Sequence, residues 1–229
     1  MTLQEAIQAR HSVRAYTPYT LSSEESAALQ ERIDEYNKAG GLHIQLALDE
    51  PRAFKSRFNK YGLFSNVTNY LVIAGRPGEG REEKAGYYGE LLVLQAQTLG
   101  LNTCWVGLTY SKVEGAYVLD EGEKIFCVIA LGRGETQGSD HRRKTVEQVS
   151  NATSDTPSWF NDGVRAALLA PTAVNQQKFS FTYLPPVGAA KAKVLAKKGF
   201  SLVGYAAIDL GIVKCHFELA AGTDSFEWA

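Results

Sequence analysis

Two short, uninterrupted apolar runs, Tyr70-Leu71-Val72-Ile73-Ala74 and Phe126-Cys127-Val128-Ile129-Ala130-Leu131, most constrain how this chain folds. A strand that is apolar on both faces must be covered on both faces, so each run reads as a strand buried inside a sheet. Between them, residues 85–99 read as a helix apolar on most sides, hence a central one, ended by Gly100. Further helices are expected over 3–9, from Ser22 or Ser23 to Gly40-Gly41, from Thr156-Pro157 to Ala170, over 188–198 and over 205–221. Residues 42–48 and 179–184 read as strands, 75–84 as a loop and 111–119 as a helix or turn. Residues 134–157 are polar and poor in large apolar side chains, and read as a linker. The chain 1–229 reads as one domain. Gly89–Gly100 and Gly211–Gly222 have equal separation around apolar helices, either by coincidence or because halves 1–150 and 151–229 are alike.

Composition narrows the function classes. The chain is 45% hydrophobic and 21% charged, as folded domains are. Its 24 Lys plus Arg balance 25 Asp plus Glu, which argues against a dedicated nucleic-acid or membrane-surface protein. An anionic ligand must therefore be held by a local basic cluster. Cys104, Cys127 and Cys215 form no CxxC pair and fit a reducing compartment. The N-terminal segment lacks the apolar core of a signal peptide, and no apolar run approaches the ~20 residues of a spanning helix. A cytoplasmic protein is the expectation.

Four segments could carry chemistry. In Arg10-His11-Ser12-Val13-Arg14, the alternating Arg10, Ser12 and Arg14 share a face of extended backbone, as a phosphate clamp or a solvated charge pair. Arg142-Arg143-Lys144 offers a second basic cluster, with Arg142 and Lys144 on one side, or a merely exposed run. Residues 170–179 place Asn175 and Gln177 in an amide-rich turn between helix and strand. In Leu99–Gly107, Gly107 lets backbone approach a planar ligand, while Cys104 lacks a nearby His, Asp or Glu and reads as a packed thiol. His216 reads as a satisfied core histidine, and His11 as a donor to a ligand. The chain has no GxGxxG after the first strand, no GxxxxGK[ST], HExxH or GxSxG, and no Cys/His cluster of a metal site. With basic and amide groups but no acid–base team, a cofactor is expected to supply the hard chemistry.

These segments together resemble the FMN-dependent nitroreductase family. Arg10-His11-Ser12-Val13-Arg14-Ala15-Tyr16 is similar to its R-x-S-x-R-x-[FY] element, and APTAVNQQKFSF (170–181) to its APSxxNxQPWxF element. Leu99–Gly107 is similar to LGLGTCWxG, and Ile129–Gly132 followed by Arg142–Lys144 to the late strand and basic pair. The order differs from that of common members, in which the Asn element lies in the first third. Lys178 and Phe179 also replace the usual Pro and Trp. The arrangement resembles a subfamily with rearranged halves.

The resemblance implies an α+β fold with a central, mostly antiparallel sheet flanked by helices. It implies FMN held by Arg10, His11, Ser12, Arg14, Val106, Gly107, Arg142, Lys144, Asn175 and Gln177. No side chain is cast as a catalyst and no metal is expected. NADH or NADPH would donate hydride, and a nitroaromatic or quinone would accept electrons in ping-pong fashion. Lys55, Arg57 and Lys60 are candidates for an NADPH phosphate, or a solvated loop. One chain would supply both sides of a site that common members build across a homodimer, so a homodimer or a pseudo-dimeric monomer is expected. The alternatives are an FMN-binding protein without nitroreductase activity and a flavin-free interaction domain.

Overall fold

The computed structural model describes residues 1–55 and 64–229. Local chemistry sets the first helices. In α1 (Leu3–Ala9) and α2 (Ser23–Gly40), Thr2 with Glu5 and Ser22 with Glu25 close reciprocal capping boxes. Gly41, at φ +62, ends α2 in the left-handed conformation that glycine adopts freely. Strand β1 (Gln45–Ala47) follows, shorter than the 42–48 run.

The two apolar runs form β2 (Asn69–Gly75) and β4 (Lys124–Gly132), paired antiparallel at the middle of a four-stranded sheet. With β3 (Asn102–Val106), the order is β1-β2-β4-β3, antiparallel throughout. Ser12 forms a parallel bridge with Thr103 at the free edge of β3. The basic N-terminal segment is thereby laid along the sheet rather than left in solvent.

Helix α3 (Arg81–Thr98) begins within the expected loop, with Glu82 and Glu83 in the first turn where the helix dipole favours negative charge. It crosses α6 (Ala206–Ala221) at backbone contact. A Cβ at Gly86 would stand 2.0 Å from the Ile208 carbonyl oxygen, and one at Gly211 would stand 1.9 Å from that of Glu83. Lys214 donates to Glu83 at 2.6 Å beside the crossing. Gly100 and Gly222 follow the two helices, both at φ +76.

The second sheet corrects the sequence reading. Residues 188–198 do not form an Ala/Lys helix: Ala192–Lys198 is strand β6, antiparallel to β5 (Phe179–Leu184) and parallel to β7 (Phe226–Trp228). Val194 is fully buried while Lys193 is exposed, so pairing and period-two burial override the helix propensity of Ala and Lys. Strand β7 was not anticipated. Residues 111–119 are turns, and the polar stretch 134–157 is no free linker. It contains α4 (Val146–Val149), buries Val149, and bridges Ser150 to Phe181. Helix α5 (Ser158–Ala167) places Phe160 against Phe217 of α6. No helix among the described residues is long and apolar enough to cross a membrane.

Gly211→Ala is expected to lower unfolding stability by at least about 2 kcal/mol, because neither backbone can yield easily. Gly78→Ala, whose new methyl would meet only the Arg81 side chain at 3.5 Å, is expected to change little. Paired urea titrations check the contrast.

Candidate functional site

The N-terminal segment passes two cavities. The larger, about 550 Å³, is bounded by Ser12 and Arg14, the end of β3 from Cys104 to Thr109, Pro171–Val174 and the start of α6. The smaller, about 230 Å³, is lined by Arg10, His11, Asp140, His141 and Arg143 with Ile7, Gln8 and Leu169. Ser12, Arg14, Val106 and Gly107 are thus brought together in the cleft, while Arg10 and His11 face the smaller cavity. Arg10 and Ser12 are only two residues apart, roughly 6–7 Å of extended chain.

Arg10 is 4% exposed. Its Nε is buried, 3.9 Å from Glu90 Oε1 of α3, and has no hydrogen-bond partner among the described residues. Glu90 is itself fully buried. It accepts from Trp105 Nε1 at 2.8 Å and meets His216 Nε2 at 2.8 Å, while His216 Nδ1 donates to the Ala166 carbonyl at 3.1 Å. His216 is therefore a satisfied core histidine. The nearly complete network beneath Arg10 leaves its guanidinium as the group still wanting an acceptor. Loss of water holds the His11 and His141 imidazoles below their usual range, and the neighbouring cations add to this.

Arg142, Lys144, Asn175 and Gln177 do not line the cleft. They form a knot behind its wall. Asn175 Nδ2 and Gln177 Nε2 donate to the Arg142 carbonyl at 2.9 and 2.8 Å. Gln177 Oε1 accepts from the Lys144 amide, and Lys144 Nζ donates to the Gln177 carbonyl at 2.6 Å. The amides thus serve the turn rather than the open cavity. Lys55 is exposed outside the cavities, and Arg57 and Lys60 lie outside the described residues. Burial pushes the Cys104 thiol up, as a packed thiol requires.

The wall itself is strained. Val174, Asn175 and Gln177 have φ of 46°, 55° and 45°, and Tyr205, just before α6, has 61°. Left-handed backbone costs roughly 1–2 kcal/mol per non-glycine residue, most for a β-branched one such as Val174. Asp209, on the first turn of α6, supplies compensation: Oδ1 accepts from the Ala173 amide at 3.0 Å and Oδ2 from Gln176 Nε2 at 2.7 Å. Burial raises its carboxyl to about 6 despite these bonds. Asp209, His141 and Arg143 join the candidate site beside the residues that the sequence singles out. Arg143 is the middle residue of the basic run 142–144 and His141 directly precedes Arg142, while the signal for Asp209 is a lone charge within an otherwise apolar stretch of helix.

Because the folded state holds the Asp209 proton more tightly than the unfolded chain, this residue's contribution is greatest in acid. It is lost as pH rises to about 6. Relative to Asp209→Asn, the native protein is expected to lose up to about 3 kcal/mol of unfolding free energy between the ordinary carboxyl range and neutrality. Parallel urea titrations from about pH 4 to pH 7 check the slope.

A putative nitroreductase from Thermotoga maritima MSB8 superposes with a TM-score of 0.64 at 19% identity, covering 96% of this chain and 83% of that one. A putative nitroreductase in complex with FMN from Desulfovibrio desulfuricans gives 0.52 at 20% identity, covering 69% and 99%. A putative NADH oxidase from Clostridium acetobutylicum gives 0.51 at 20% identity, covering 65% and 99%. These likenesses are of fold. A search of curated proteins finds no match. The family model described as "Putative TM nitroreductase" matches residues 2–221, and the chain belongs to this nitroreductase family.

Proposed function

We propose that the protein is an FMN-dependent oxidoreductase that passes electrons from NADH or NADPH to nitroaromatic or quinone-type acceptors. The observation that carries this reading is the pairing of an apolar cleft with a separate cationic cavity along one five-residue segment. FMN joins a planar ring to a phosphate through a polyol chain, and the two cavities offer the matching chemistry. Arg10, with its buried Nε, together with His11, His141 and Arg143 would hold the phosphate. Arg143 is ion-paired with Asp140 of the same cavity and would exchange that carboxylate for the phosphate. Ser12 and Arg14 would hold the chain, and the backbone at Val106 and Gly107 would face the ring. FMN, when bound, supplies the hydride and electron chemistry. The protein's part is to bind, orient and exclude water, which the apolar lining from Val106, Ile208 and Ile212 does. The FMN bound in the Desulfovibrio desulfuricans relative supports the cofactor, and the printed name of the Clostridium acetobutylicum relative supports NADH as donor. A homodimer or a pseudo-dimeric monomer, acting on a small-molecule acceptor in the cytoplasm, completes the proposal.

One observation favours a second reading, FMN binding without nitroreductase activity. The Tyr205 ring rests against Gly107 within the cleft, leaving less room for an acceptor there. Bleaching of bound flavin by NADH or NADPH, followed by reoxidation with an acceptor, decides for the reductase. Flavin that stays oxidised under excess of both donors decides against it.

Arg143→Ala is expected to weaken FMN binding at least about tenfold, the usual worth of a charge-assisted contact, and to leave riboflavin, which lacks the phosphate, unchanged. Fluorescence titrations with both flavins check this. Equal effects on the two would place the phosphate elsewhere.

A further inference from the structure

We propose that Tyr205 is a specificity-determining residue of the cleft, and that Asp209, acting through Gln176, is the positioning residue that keeps it there. Its use in selecting an acceptor rests on the oxidoreductase reading above. The latch itself does not.

Tyr205 reaches into the cleft at the end of β3. A Cβ built on Gly107 would lie 2.5 Å from Tyr205 Cζ and 2.7 Å from its hydroxyl oxygen. The phenol therefore fills the space that a side chain at 107 would take. A planar group approaching the backbone at Gly107 must share that space with the ring or displace it. The approach exists because residue 107 is glycine and because Tyr205 holds φ 61°, directly after Gly204 at φ +80. An unrestrained tyrosine would leave that backbone conformation, so the surroundings must hold it.

The restraint is visible. The Gln176 side chain donates to Asp209 Oδ2 at 2.7 Å and to the Gly204 carbonyl at 3.1 Å, and its Oε1 accepts from the Ser201 hydroxyl at 2.6 Å. The same single hydroxyl proton is shared with the Gly204 carbonyl, 3.0 Å from Ser201 Oγ. One amide thus ties the strained wall, the 199–205 segment and the first turn of α6 together. The segment has little apolar anchoring of its own: Phe200 and Leu202 are 81% and 90% exposed. Remove the amide and the segment loses its connection to Asp209, and Tyr205 its reason to stay over Gly107.

The test compares the native protein with Tyr205→Ala, Tyr205→Phe and Gln176→Ala. With FMN and NADH, kcat/KM is measured for 1,4-benzoquinone and for the larger menadione. Chymotrypsin cleavage after Phe200, Leu202 and Tyr205 is followed without flavin. Tyr205→Ala is expected to raise the menadione-to-benzoquinone ratio at least about fivefold, within the range one pocket contact gives. Tyr205→Phe, which keeps the ring, should leave the ratio near native. Gln176→Ala should move the ratio as Tyr205→Ala does and speed cleavage of the segment several-fold, with unfolding temperature serving as the control for a folded chain. An unchanged ratio in folded Tyr205→Ala overturns the specificity role. Unchanged cleavage in Gln176→Ala overturns the latch. If the native protein reduces neither quinone, the oxidoreductase reading and the specificity role fail together, while the cleavage arm still decides what Gln176 holds.

Discussion

The backbone contact between α3 and α6 is the constraint on which the rest of the molecule depends. With no side chain at Gly86 or Gly211, the two helices meet main chain to main chain, and everything anchored on them is placed with little slack. The contact brings Glu90 of α3 to His216 of α6 in a site closed to water. Such a pair costs desolvation and is retained only where every partner is in place, which Trp105 and the Ala166 carbonyl provide. A slip of either helix would leave buried polar groups without partners.

From that crossing the two cavities follow. The Glu90 oxygen that meets His216 also lies 3.9 Å from Arg10 Nε, so the core network reaches the smaller cavity, while the first turn of α6 sets Asp209 against the strained wall of the cleft. The strain at Val174, Asn175 and Gln177 is local, and its compensation comes from a helix distant in sequence. A wall built this way is defined by its anchors rather than by its own propensities.

Much of the fold was legible because its signals are local. The apolar runs 70–74 and 126–131, the capping residues Ser22 and Gly41, and Pro171 after an apolar helix each carry their meaning within a few residues. Strand β6 was not legible, since Ala and Lys favour helix and only pairing with β5 and β7 decides otherwise. The site was half legible for the same reason. Ser12, Arg14, Val106 and Gly107, from two of the segments singled out in the sequence, meet in one cleft. Alternation alone would put Arg10 beside Ser12 and Arg14, but burial against Glu90 turns it to a separate cavity. The amides of Asn175 and Gln177 satisfy the Arg142 carbonyl instead of opening to the cleft, because a turn in left-handed backbone must first satisfy itself. Asp209 carries no motif. Its role exists only once α6 has packed.

The bridge between Ser12 and Thr103 has a bearing on solubility. β3 is the outermost strand of its sheet, and an uncovered outer strand offers unpaired amides and carbonyls to a neighbouring molecule. The amide of Val13 donates to the Thr103 carbonyl at 3.0 Å, so the segment that carries the cavity-lining Arg10, Ser12 and Arg14 also shields this margin. The lining of both cavities and protection against intermolecular sheet growth are thus vested in the same few residues.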